Sequence, residues 1–425
     1  MFPLDSNVDT TSRRHQWMTR QPGSNQVNSQ SRPPGLKQIT ITPTQSRFNP
    51  SDRGLSESPS IVESTGALFD FAPGALVPDA ANATKERVLG MVMVKVLPPD
   101  AVSAAPATSA DIPTLEVSLP IRRPLGQSPL RVFPLAIGGN VFGWTADGGA
   151  TNEILDTYFA HGGNFIDTAD SYAAGRSEIM IGNWMRDRRV RSGIVIATKV
   201  GKSADNPGVT AKAISRSVNA SLERLKTDYI DLLYLHIDDP EVPFEETLLA
   251  VDDLIRAGKV RHFGASDHSS NRLVEARVIA AQLGVAPMLA VQNHYTLMHR
   301  TGYEGDLARV ASQQRLAVMP RFALASGFLT GKYRTKADLG KNNRGSELAN
   351  HLSKRGQRVL GVLDQVAREQ KSSVATIALA WLLSKPGIVA PVASASRPEQ
   401  VLELVAAAKI QLSRHQVARL DRASD

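Results

Sequence analysis

The chain contains no cysteine. That excludes disulfides, a thiolate nucleophile and cysteine-ligated zinc, and it fits a reducing cytosol. An apolar run approaching the ~18 residues of a membrane span is also missing. The most apolar stretch near the amino terminus, Val88 to Leu97, is short and interrupted by Lys95. The amino terminus lacks the apolar centre of a signal peptide. These absences point to a cytoplasmic protein with no membrane partner. Charge is not segregated either. The net charge is +8, from 49 Lys and Arg against 41 Asp and Glu, but the basic residues are scattered with acids between them. That pattern suits a solvated surface or a phosphate-bearing cofactor better than nucleic acid.

What is present divides near residue 128. Before it, the chain is rich in Ser, Pro, Gln, Asn and Thr and shows no sustained period. Segments such as Gln21-Pro-Gly-Ser-Asn-Gln-Val-Asn-Ser-Gln30 bury too little apolar surface to offset chain entropy. Residues 1–127 are expected to be a mostly disordered extension, with a short helix or strand over Ala81 to Leu97 as its one candidate element. It reads either as a regulatory or targeting arm or as a dispensable extension upstream of a start near Met91 or Met93; the second reading is preferred.

Residues 128–425 alternate between strand and helix patterns. Candidate strands are 131–137, 164–168, 193–199, 229–236, 260–265, 289–294, 316–322 and 389–393. In 211–226, Ile214, Val218, Leu222 and Leu225 share one helical face. The helix over 243–257 is expected to carry Pro243 in its first turn and to stop at Gly258. The helix over 269–283 stops at Gly284, and another spans 305–315. Residues 334–358 read as a mobile polar loop, followed by helices over 357–370, 374–385, 398–408 and 413–424. Eight strand–helix units in about 290 residues match a (β/α)₈ TIM barrel. A doubly wound sheet would need a G-x-G-x-x-G turn after its first strand; Gly138-Gly-Asn-Val-Phe-Gly143 lacks that spacing.

Four polar residues fall at or just past three successive strand ends: Asp167, Tyr172, Lys199 and His236. The carboxyl ends of barrel strands are where such folds keep their chemistry. Singly, each has a bland reading: a packing tyrosine, a solvated lysine or histidine, a capping aspartate. Together they suit one reaction. A free phenol has a pKa near 10, and a neighbouring ammonium favours phenolate and lowers that value. Lys199 is the expected neighbour, Asp167 its counter-charge, and His236 orients a substrate oxygen that Tyr172 protonates. Phe142 and Trp144, after the first strand, are expected to line the substrate pocket.

Several long motifs in order carry a resemblance. Asn164-Phe-Ile-Asp-Thr-Ala-Asp-Ser-Tyr172, Ile196-Ala-Thr-Lys199, Asp231-Leu-Leu-Tyr-Leu-His236, Ala257-Gly-Lys-Val-Arg-His-Phe-Gly-Ala-Ser266 and Gly327-Phe-Leu-Thr-Gly-Lys-Tyr333 resemble the aldo-keto reductase family from about residue 130 to the end. The likeness looks bacterial, of the actinobacterial kind. It implies these same four catalytic roles, hydride from a nicotinamide, a small-molecule carbonyl substrate, and a monomer or weak homo-oligomer without a metal.

The resemblance also places a cofactor. Gly139 and Asn140 match backbone positions beside it, and Ser266, Asp267 and Gln292 match the carboxamide site. Arg321, Phe322, Ala323, Leu324, Ser326 and Gly327, with Lys332, match the loop over the pyrophosphate. Ser394, Ser396, Arg397, Gln400 and Glu403 match an adenosine 2′-phosphate pocket, which implies NADPH/NADP+. The chain departs from the family at Asp267, where Asn is common, at Ser394 and Leu404, where Gly and Asn are usual, and at Arg321, where an aromatic ring is usual. An Arg there is expected either to point away or to oppose the positive oxidised nicotinamide and hasten its release. Two other functions stay open: net alcohol oxidation, and a redox-sensing or regulatory module like the potassium-channel β-subunits.

Overall fold

The computed structural model describes residues 121–341 and 348–425. The expectations for residues 1–120, including the element at Ala81 to Leu97, and for 342–347 of the polar loop lie outside the described residues.

Ten strands are present among the described residues. A hairpin, β1 (Arg123–Pro124) against β2 (Arg131–Val132), is antiparallel. The others are β3 (Ala136–Gly138), β4 (Phe165–Asp167), β5 (Val195–Val200), β6 (Ile230–Leu235), β7 (Val260–Ser266), β8 (Ala290–Gln292), β9 (Ala317–Val318) and β10 (Val392–Ala393). These eight form one parallel sheet in the order β10-β3-β4-β5-β6-β7-β8-β9. Its two edges meet: Val318 bridges Ile388, Val389 N–H donates to Val318 O at 2.9 Å, and Val392 N–H donates to Pro320 O at 2.8 Å. The sheet is thus a closed (β/α)₈ barrel. Its strands are buried on both faces, which is why they read as continuous apolar runs.

The hairpin corrects two expectations. The boundary drawn at 128 cuts it in half, and fully buried Leu125 packs with the barrel-interior cluster. The strand expected over 131–137 is two strands, because Arg131 and Val132 pair with the hairpin while only Ala136 onward enters the barrel.

The helices follow their caps. They are α1 (Gly148–Ala160), α2 (Arg176–Arg188), α3 (Ala211–Leu225), α4 (Phe244–Arg256), α5 (Ser270–Leu283), α6 (Asp306–Gln313), α7 (Lys354–Glu369), α8 (Val374–Leu383), α9 (Pro398–Ala406) and α10 (Arg414–Ser424). The Thr210 hydroxyl accepts from Ala213 N–H at the start of α3. Gly284 closes α5 in the left-handed conformation. Pro243 is the N-cap of α4 rather than a first-turn residue, because the chain there is still extended. α7 starts at Lys354, inside the segment expected to be loop, where the Ser353 hydroxyl caps it.

Strand alternation decides what faces the barrel interior. Phe165, Val195, Ala197, Leu232, Tyr234 and Ala290 form the interior cluster. Every second residue of a strand shares a face. Asp167, Lys199, His236 and Gln292 each lie two residues past a member of that cluster, so all four top the same interior column at the carboxyl ends.

Candidate active site

The column converges on one ion pair. Lys199 Nζ donates to Asp167 Oδ1 at 2.5 Å and to Thr168 O at 2.7 Å. Gln292 Nε2 donates to the other oxygen, Asp167 Oδ2, at 2.7 Å. Burial opposes the ammonium, yet Asp167 and then Tyr172 outweigh it and hold Lys199 above the ordinary lysine value. Lys199 Nζ lies 4.9 Å from the centre of the Tyr172 ring.

Tyr172 is delivered by a tight turn between β4 and α2. Ala173, Ala174 and Gly175 follow it with φ of 50, 54 and 81°, all left-handed. The left-handed φ favours glycine at 175, and a side chain there would also push against the Arg224 side chain at 2.8 Å. Buried Glu178 anchors the turn from below. It accepts from Thr198 Oγ1 at 2.5 Å and from Arg224 Nε at 2.7 Å. Thr198 precedes Lys199, so this carboxylate ties the tyrosine turn to the lysine strand.

His236 faces Tyr172 edge-on, with ring centres 6.1 Å apart. Burial, and then the charges of Lys199, Lys202 and Arg321, push its pKa down to about 2. The imidazole is therefore neutral at physiological pH and can donate one hydrogen bond. Its Nδ1 has no hydrogen-bond partner among the described residues.

A cavity of about 830 Å³ runs from this cluster across the barrel mouth. Asp167, Tyr172 and His236 line one end; Gln292, Asp267 and Arg321 follow; Ser394, Ser396, Arg397, Gln400 and Glu403 line the other end. Asn140, Phe322, Ala323, Leu324, Ser326, Gly327 and Lys332 also border it. Of the expected cofactor residues, Gly139 and Ser266 are not on its wall. Gly139 lies beneath Ser177, whose hydroxyl donates to its carbonyl oxygen at 2.8 Å, and Ser266 is buried at the end of β7.

Two expectations need correcting. Phe142 is not in the pocket; it is fully buried in the core between barrel and helices, while Trp144, 52% exposed, does line the cavity. Arg321 neither points away nor stands alone: its Nε donates to Asp267 Oδ1 at 2.8 Å. Asp267 accordingly has a defined role as its counter-charge. Sequence reasoning also missed Lys202, which lines the cavity three residues past Lys199. Its place just beyond a strand end was the available signal. Ser394 hydrogen-bonds Asn140, tying together the chain just past the neighbouring strands β10 and β3.

The arrangement has the marks of a ligand site. His236, on the cavity wall, has an Nδ1 with no hydrogen-bond partner among the described residues, and such an orphan fits a ligand that carries its own donors and acceptors. At the far end, Arg397 caps α9 with Pro398 in the first turn. That helix start favours an anion, and a guanidinium adds a planar fork for phosphate. Among the described residues, no group of three His, Cys, Asp or Glu side chains could hold a metal ion, and no helix is long and apolar enough to cross a membrane.

Comparison with known proteins agrees with this geometry. Residues 134–425 match the family described as the aldo/keto reductase family. The chain is 31% identical to an aryl-alcohol dehydrogenase of Pestalotiopsis microspora, over 70% of this chain and 80% of that one. It is 31% identical to a norsolorinic acid reductase of Aspergillus flavus, over 74% and 83%. It is 33% identical to a probable voltage-gated potassium channel subunit beta of Oryza sativa subsp. japonica, over 66% and 88%. These relatives are fungal and plant proteins, and they lend no support to the expected bacterial, actinobacterial kind.

Proposed function

The chain belongs to the aldo/keto reductase family, and on that premise we propose that it reduces aldehydes or ketones to alcohols with NADPH. The observation that carries this reading is the buried Lys199–Asp167 pair at 2.5 Å, set beside the ring of Tyr172 with His236 edge-on to it.

Each group has one task. NADPH, when bound, would supply the hydride that the carbonyl carbon of the substrate accepts. Neutral His236 donates a hydrogen bond to the carbonyl oxygen and fixes its position. The Tyr172 hydroxyl gives its proton to that oxygen as negative charge develops there. Lys199 stabilises the phenolate left behind, and Asp167, held by Gln292, keeps Lys199 in place. The tyrosine regains its proton from water, so the balance is one hydride and one proton added across C=O. Run backwards, the same groups oxidise an alcohol.

The cofactor assignment rests on the far end of the cavity. Arg397 would hold the 2′-phosphate and Lys332 the pyrophosphate, while Asp267 and Gln292, on the cavity wall, would face the carboxamide. The lack of cysteine suits a reducing compartment, so we place the enzyme in the cytoplasm.

The names of the relatives guide the test. Purified protein is mixed with NADPH and a panel of aldehydes and ketones, aromatic ones first, and loss of absorbance at the reduced-nicotinamide band is followed. Consumption that depends on the carbonyl compound supports the reading; none across the panel contradicts it. The potassium-channel relatives favour a second reading, a cofactor-binding module that works through a protein partner. That reading expects NADPH to bind and no substrate to turn over.

A further inference from the structure

Asp267 and Arg321 are two opposite charges placed together at the mouth of the barrel. Asp267 directly follows β7 and Arg321 follows β9. Their side chains meet across the end of β8, with Arg321 Nε 2.8 Å from Asp267 Oδ1. The backbone holds both in place: Asp267 N–H donates to Gln292 O at 3.2 Å and Arg321 N–H to Asn293 O at 3.0 Å. Both line the cavity that holds Tyr172 and His236, with side chains 28% and 34% exposed for Arg321 and Asp267. Asp267 adopts φ 60°, a left-handed conformation open chiefly to Gly, Asn and Asp.

The position of the pair relative to a bound nicotinamide follows from the chemistry. A hydride donor must sit within about 3–3.5 Å of the carbonyl carbon. The carbonyl oxygen sits at His236, and the Arg321 charge already acts on His236. Any ring close enough to react there also feels that charge. The ring gains one positive charge when its hydride leaves, so nearby fixed charges act differently on its two redox states.

We infer that the Asp267–Arg321 pair is a charge-compensated clamp that sets the affinity ratio of oxidised to reduced nicotinamide. Paired, the two charges nearly cancel at the ring. Unpaired, either one biases the ratio, and in opposite directions. The inference rests on the nicotinamide reading of the site and adds to it a determinant of cofactor exchange and reaction direction. It assigns Asp267 and Arg321 as positioning and tuning residues, distinct from the groups that move the proton.

The test is a double-mutant cycle read by binding alone. NADP+ and NADPH are titrated separately against the full-length wild type, Asp267→Asn, Arg321→Gln and the double variant by tryptophan fluorescence. The left-handed position accepts Asn, and Arg321→Lys serves as a charge-keeping control in case loss of the guanidinium disturbs the loop. Asp267→Asn should weaken NADP+ relative to NADPH by about three- to tenfold, as expected for a partly solvated charge. Arg321→Gln should strengthen NADP+ relative to NADPH by a similar factor. The double variant and Arg321→Lys should return near the wild-type ratio. Equal changes for both redox forms in each single variant, or shifts of the ratio in the same direction in both, overturn the inference while leaving the nicotinamide reading intact. Failure of wild type to bind either form overturns that reading and this inference with it.

Discussion

Lys199 and Asp167 form an ion pair with both side chains almost out of solvent, at 1% and 3% exposure. Such a pair is a weak source of stability when intact, because desolvation offsets attraction, but breaking it strands a buried charge. Asp167→Asn is therefore predicted to destabilise the barrel by about 3–5 kcal/mol, visible as a fall in Tm of roughly 6 °C or more. Replacing both members with apolar residues, as in Asp167→Leu with Lys199→Met, should cost much less. A single variant that melts like wild type would show that the lysine is not charged in the folded protein.

Asp170 provides a pH test. It is 2% exposed, and burial, then the neighbouring Glu178 carboxylate, push its pKa from 3.8 up to about 6, against the pull of Arg224. A carboxyl with a raised folded pKa favours the folded state at low pH, and that favour is lost as pH rises through about 6. Above pH 6 the folded protein thus carries a penalised charge. Asp170→Asn removes it, so the variant is predicted to be more stable than wild type by about 1–3 kcal/mol at pH 7.5, with the gain vanishing below pH 4. Thermal unfolding across that range decides it. A gain independent of pH would rule out the charge as its cause.

Arg397 supplies a cofactor test. Arg397→Ala is predicted to weaken NADPH binding by about 10- to 150-fold, the equivalent of 1.5–3 kcal/mol for a charge-assisted bond. NADH, which has no 2′-phosphate, should lose little. Direct titration of both cofactors checks this, and equal losses would mean that Arg397 does not read the phosphate.

The parts legible from sequence share a local cause. Three of the barrel strands are short apolar runs with a polar residue at or just past their ends, so Asp167, Lys199 and His236 could be placed from the local pattern, while Gln292 came from the family resemblance. Caps such as Thr210 and Gly284 are equally local. What stayed hidden depends on distant partners. Arg123–Pro124 pairs with Arg131–Val132 in a hairpin that seats Leu125 with the barrel interior, and Arg123–Pro124 gives no strand signal of its own. Phe142 looks like a pocket residue until the core closes over it. Asp267 and Arg321 are 54 residues apart and sit either side of β8, so each looked like an isolated departure. Glu178 and Arg224 are 46 residues apart on different helices, yet with Thr198 they hold the tyrosine turn to the lysine strand.

The central claim is that Tyr172 gives the proton that completes carbonyl reduction. Tyr172→Phe keeps the ring and removes only the hydroxyl. Single-turnover reduction of an aromatic aldehyde by NADPH, measured alongside NADPH affinity on the same preparation, tests it most directly. The account predicts a rate lower by a factor of about 10²–10⁴ with affinity for NADPH unchanged. A variant that reduces the aldehyde at the wild-type rate would contradict it.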